Sequence, residues 1–156
     1  MADWKKLAAQ MNGWKVLVVD DEPDSLEVAE TLLEMVGVEV LTAGNGKIGL
    51  EHAKTHRPNF IISDLSMPQM SGWQMLKHLK EDPATQNIPV IALTAHAMRG
   101  DRERAIAAGF HNYLSKPLRP ETFINDLLKL LINIPQMATM LEYSKLTEEK
   151  SHVQSQ

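Results

Sequence analysis

The chain has 156 residues, of which 44% are hydrophobic and 5% aromatic, and its 16 Lys plus Arg stand against 20 Asp plus Glu for a formal charge of −4. This is the size of one globular domain, with neither the basic footprint nor the aromatic platform of a nucleic-acid binder. Cysteine is absent, which excludes disulfides, thiolate metal sites, iron–sulfur clusters and cysteine nucleophiles together. Apolar runs such as Val16 to Val19 fall far short of the roughly 18 residues of a membrane span, and no long apolar stretch after the first residues acts as a signal peptide. The expectation is a cytoplasmic protein with no nucleic-acid or membrane partner.

In chain order, Trp4, Leu7, Ala8 and Met11 fall at helical spacing, so residues 1–13 read as an extension with a short amphipathic helix. Lys15 to Val19 is a β-branched run ending in Asp20-Asp21-Glu22-Pro23, the pattern of a strand buried on both faces. Pro23 suits a first helical turn, and Leu26, Ala29, Leu32, Leu33 and Val36 continue that helix until Gly37. Val38 to Ala43 gives a second strand, Gly46 to Lys54 a second helix, and Phe60 to Asp64 a third buried strand that also ends in an acid. Trp73, Leu76 and Leu79 mark a helix that stops before Pro83. Pro89 to Thr94 is a strand, Asp101 to Ala108 a helix capped by Gly109, and Asn112 to Ser115 the fifth strand. Pro120 opens a last helix carrying Phe123, Leu127, Leu130 and Leu131. Beyond Pro135, Met137, Met140 and Leu141 hint at one more turn, and residues 134–156 form a tail that is partly disordered.

Five strands alternating with five helices force right-handed crossovers and an α/β doubly wound parallel sheet. The flavodoxin-like order 2-1-3-4-5 suits a five-strand chain, and its ligand crevice lies between strands one and three. Those two strands end in Asp20-Asp21 and Asp64. Three carboxylates gathered there repel one another by about 3–4 kcal/mol per pair, at roughly 5 Å and an effective dielectric near 20. Oxygen ligands without His or Cys select Mg²⁺, which keeps waters and accepts phosphate oxygens. Strand four ends in Thr94-Ala95, a hydroxyl beside a small residue, and strand five in Ser115-Lys116-Pro117, an ammonium. Acid, metal, hydroxyl and ammonium on one spot are equipment for phosphoryl transfer, and a central carboxylate, Asp64, can form an acyl phosphate.

The segments Val18-Val19-Asp20-Asp21, Asp64-Leu65-Ser66-Met67-Pro68-Gln69-Met70-Ser71-Gly72, Leu93-Thr94-Ala95 and Tyr113-Leu114-Ser115-Lys116-Pro117 come in this order, each at a strand's carboxyl end. Over residues 14–133 the chain resembles the receiver domain of bacterial two-component response regulators. The resemblance implies that Asp64 receives a phosphoryl group from a phosphohistidine on a sensor histidine kinase or histidine phosphotransfer protein. It implies that Asp20, Asp21, Asp64 and the backbone carbonyl of Ser66 hold Mg²⁺, and that Thr94 and Lys116 bond the phosphoryl oxygens. Thr94 and Tyr113 would form the switch, Ser66 and His96 would tune the lifetime of the mark, and the bond to Pro117 would be cis. Output would be contact with an unknown downstream protein, by a monomer or weak homodimer.

Other readings are weaker. A flavodoxin-type binder needs a Gly/Ser/Thr-rich loop where this chain is acidic, and a dehalogenase-like phosphatase needs a carboxylate where Ser66 stands. The alternative of weight is a pseudo-receiver that binds a partner without being phosphorylated. Trp73 reads as helix packing, residues 99–104 as a solvated helix start, and His52, His78 and His111 as surface residues.

Overall fold

The computed structural model describes residues 3–95 and 100–141. The five apolar runs are strands β1 (Lys15–Val19), β2 (Glu39–Ala43), β3 (Phe60–Asp64), β4 (Val90–Thr94) and β5 (Asn112–Ser115). They form one parallel sheet in the order β2-β1-β3-β4-β5. The helices are α1 (Trp4–Ala9), α2 (Pro23–Met35), α3 (Gly46–His56), α4 (Gly72–Glu81), α5 (Asp101–Ala108), α6 (Phe123–Leu131) and α7 (Pro135–Met140). Helices α2 to α6 are the five that the alternation predicts, and the two flanks add α1 and α7.

Successive strand residues point to opposite faces, so each strand feeds two cores. Val16, Val18, Phe60, Ile62, Ile91 and Leu93 pack with Ala29 and Leu33 of α2 and with Leu127, Leu128 and Leu131 of α6. Leu17, Val19, Ile61, Val90 and Ala92 pack with Ala53 of α3, Met75, Leu76 and Leu79 of α4, and Ala105 of α5. Two-sided burial explains why β1, β3 and β4 read as continuous apolar runs rather than alternating ones.

The flanks are anchored on the first face. Asp3 caps α1 by accepting from the Lys5 and Lys6 amides, and Leu7, Met11, Ile134, Met137 and Leu141 are buried in the same cluster as α2 and α6. Core side chains therefore come from both sides of the 14–133 segment. Gly37, at φ +88°, closes α2 in the left-handed region that favours glycine. Pro120 lies in a turn rather than opening the last helix: the Thr122 and Phe123 amides both bond the Arg119 carbonyl, and α6 starts three residues later than the sequence predicts. Among the described residues no helix is long and apolar enough to cross a membrane.

Candidate functional site

Parallel register brings the strand ends level. Val19 pairs with Ser63, Asp64 with Leu93, and Thr94 with Ser115, so Asp20, Asp64, Thr94 and Lys116 meet at the carboxyl edge. The Lys116 chain crosses β4 to reach β3 and β1. Its Nζ lies 2.8 Å from Asp20 Oδ2, 2.9 Å from Glu22 Oε1 and 3.1 Å from Asp64 Oδ2. The contacts with Glu22 and Asp64 are hydrogen bonds donated by the ammonium. Asp20 Oδ2 is a close ion partner, yet it is buried and no donor among the described residues is aligned on it.

These contacts set the charges. Burial, first, and the nearby Asp64 charge raise the Asp20 carboxyl from 3.8 to about 6, against the close Lys116 ammonium and a hydrogen bond from the Glu22 amide. Burial works against the Lys116 ammonium too, but its carboxylate partners outweigh it and hold the group above the usual lysine range. The hydrogen bond from Lys116 keeps the Glu22 carboxyl below its ordinary value.

Asp20, Asp21, Glu22 and Asp64 each present a carboxylate oxygen, and these oxygens all lie within 4.8 Å of one another. An all-oxygen cluster with a buried, unaligned carboxylate oxygen suits a hard divalent cation. Asp21 and Ser66 are exposed beside it, and the Ser66 amide lies 3.4 Å from Asp64 Oδ1. Thr94 is buried next to the cluster, and the Lys116 amide bonds its carbonyl. The Lys116–Pro117 peptide is cis.

The loop after β3 is held by its own sequence. Ser71 and Gln74 form a reciprocal capping box at the start of α4, and the Gly72 amide bonds the Leu65 carbonyl. Gly72 lies so close to β3 that a Cβ there would collide with the Asp64 carbonyl oxygen. The strand β3 and helix α4 are thus keyed together.

Six of the eight predicted positions, Asp20, Asp21, Asp64, Ser66, Thr94 and Lys116, stand together at this edge. Tyr113 packs its half-buried ring against the α4 side of the sheet, and its hydroxyl is buried without a hydrogen-bond partner among the described residues. His96 lies outside the described residues. Glu22 is the residue that the motif reading passed over. Its signal was its place immediately before Pro23, which puts it at the N-cap of α2 beside the acid pair.

Trp73 packs as expected, edge-on to Phe110 at 5.4 Å and under the Arg104 guanidinium at 5.7 Å. His111 corrects its reading as a surface residue. Its ring folds back over β4, Nδ1 accepts from the Val90 amide at 3.3 Å, and burial together with Lys80 holds it below the ordinary histidine value. His111 stands just before the edge strand β5 and is half-buried against the start of β4, which periodicity alone does not reveal.

Comparison with known proteins agrees with this geometry. Residues 16–128 match the model of the response regulator receiver domain. The polar-differentiation response regulator DivK of Brucella anthropi is 38% identical over 116 residues, covering 74% of this chain and 94% of that protein. The Vibrio cholerae chemotaxis protein CheY4 superposes with a TM-score of 0.71 at 32% identity, covering 76% of this chain and 99% of that one. The receiver domain of a Pseudomonas aeruginosa sensor histidine kinase, solved with a magnesium ion in its active-site cleft, gives 0.68 at 30% identity, covering 76% and 97%. A doubly wound sheet with its acids, hydroxyl and ammonium converging on one edge, and a family match over that whole sheet, place this chain among the response regulator receiver domains.

Proposed function

We propose that this chain is a phosphoacceptor, with residues 14–133 as its receiver unit. Asp64 takes a phosphoryl group from a phosphohistidine of a sensor kinase or phosphotransfer protein, and the phosphorylated form signals by contact with another protein. The observation that carries this reading is Lys116 Nζ bridging Asp20 and Asp64 at 2.8 and 3.1 Å, one cation already aimed where phosphoryl charge would arrive.

In this reading an Asp64 carboxylate oxygen attacks phosphorus while the bond from phosphorus to the donor nitrogen breaks and the imidazole leaves. Oδ1 is the freer oxygen, because Oδ2 is tied to Lys116. Asp20, Asp21, Asp64 and the Ser66 carbonyl would hold Mg²⁺, which supplies charge neutralisation for the phosphoryl oxygens. Lys116 and the Thr94 hydroxyl bond those oxygens, contacts that are charge-assisted and therefore strong. Among the described residues the buried Tyr113 hydroxyl has no hydrogen-bond partner to lose, so its ring is the moving part when Thr94 shifts. Ser66 and His96 would tune how long the acyl phosphate lasts, as the family pattern implies.

The test is intact mass after incubation with Mg²⁺ and acetyl phosphate: one phosphoryl group is gained. No gain with this or other small donors would leave the unphosphorylated interaction module.

A second expectation concerns pH. The Asp20 carboxyl goes from 3.8 to about 6 on folding, so the metal-free fold is favoured below the lower value and loses stability as pH rises through the upper one. The full shift is worth at most about 3 kcal/mol. Mg²⁺ needs the ionised carboxylate, so its thermal stabilisation should be clear near about pH 8 and absent near about pH 4. Melting curves with and without Mg²⁺ at both values check this; equal stabilisation at both would remove Asp20 from the ligand set.

A further inference from the structure

An ammonium has three N–H donors, and three carboxylates already surround Lys116. Two of the donors are hydrogen-bonded, to Glu22 and Asp64, and Asp20 Oδ2 lies unaligned at 2.8 Å, so a phosphoryl oxygen approaching Lys116 competes with carboxylates already packed around it. The three partners differ sharply in solvent access: the Asp20 side chain is 0% exposed, that of Asp64 10%, and that of Glu22 59%. Asp20 is fixed by the fold, since its Oδ1 also accepts from the Glu22 amide, and Asp64 is the group being modified. Glu22 has water as a ready alternative, and its side chain makes no capping bond to α2 that would be lost on leaving.

We infer that Glu22 is a positioning residue for Lys116: it occupies one face of the ammonium until a phosphoryl group displaces it, and its charge at the mouth of the site opposes anionic donors. The inference rests on Asp64 being the acceptor. With acetyl phosphate the balance is simple. The Asp64 oxygen–phosphorus bond forms, the bond from phosphorus to the acetyl oxygen breaks, and acetate leaves as the anion, with no proton exchanged.

The experiment compares the full chain with Glu22→Gln and Glu27→Gln at saturating Mg²⁺. Both variants remove one exposed negative charge from the same stretch of chain, but only the first touches Lys116. Phosphorylation of Glu22→Gln by acetyl phosphate should be about 3- to 10-fold faster at low ionic strength, falling to about twofold or less near 1 M salt, where charges are screened within about 3 Å. Glu27→Gln should change the rate by less than about twofold. In the metal-free protein, the side-chain NMR resonances of Lys116 should move in Glu22→Gln and stay in Glu27→Gln. Equal rates in all three proteins, a slower Glu22→Gln, or an unmoved Lys116 resonance would each overturn the inference. If the native chain itself takes up no phosphoryl group, the acceptor reading falls first, and this inference with it.

Discussion

Asp64→Asn is expected to eliminate phosphoryl uptake, leaving the mass of the protein unchanged under conditions where the native chain gains one group. The amide is nearly isosteric and its oxygen can still accept from Lys116, so the packing at the end of β3 survives. What is lost is the anionic nucleophile: a carboxamide oxygen cannot form the acyl phosphate. The substitution also removes one of the charges that push the Asp20 carboxyl upward, and like charges at this spacing repel. Thermal stability should therefore hold or rise without Mg²⁺, while the benefit from Mg²⁺ shrinks. Loss of uptake with intact stability separates a chemical role for Asp64 from a structural one. Undiminished uptake would move the acceptor elsewhere, with Asp20 and Asp21 the next carboxylates to substitute. A variant that fails to fold would be uninformative on chemistry, and for that case a second replacement, Asp64→Glu, keeps the charge but displaces it along the chain and should react far more slowly.

The strands were legible because two-sided burial writes itself as β-branched runs, and β1, β3, β4 and β5 each end at or just before a candidate site residue. Lys15 to Val19, Phe60 to Asp64 and Asn112 to Ser115 have the bounds that the pattern predicts. The spot on which Asp20, Asp64 and Lys116 converge could be foreseen because parallel strands all finish on one edge, whatever separates them in the chain. Other features depended on geometry that periodicity does not carry. Pro120 is compatible with a first helical turn and with a β-turn alike, and the Arg119 carbonyl decides for the turn. The flanks held only short apolar patterns, and their burial depends on space left beside α2 and α6, to which Leu7 and Met137 are fitted. Glu22 was hidden because a charged residue before a helical proline is ordinary, and only the reach of Lys116 from β5 makes it part of the site. Thr94 and Tyr113 were placed by their strands, but the unpartnered Tyr113 hydroxyl could not be read from them.

Gly72→Ala is expected to damage fold and site together. Its added methyl would fall within contact of two groups on β3: the Asp64 carbonyl oxygen, which it would overlap, and the Ser63 Oγ at 3.0 Å. That hydroxyl donates to the same carbonyl at 2.9 Å, so neither atom can retreat without breaking the other's contact. The neighbouring strand leaves no room either, since β3 is paired on both sides by β1 and β4. Overpacking against backbone in a two-sided core costs about 3 kcal/mol or more, because α4 must lift from the sheet or the Asp64 peptide must rotate. Either movement shifts the Asp64 carboxylate relative to Lys116, so phosphorylation should slow even at temperatures where the variant remains folded. Gly44→Ala provides the contrast. Nothing lies within 4 Å of a Cβ at that position, and its backbone is outside the left-handed region, so it should be neutral or stabilise by about 0.4–1 kcal/mol through the unfolded chain. Denaturant unfolding and phosphorylation rates of the two variants together decide the matter. If Gly72→Ala matched Gly44→Ala in both, the close seat of α4 on the acceptor strand would not be what fixes Asp64 in place.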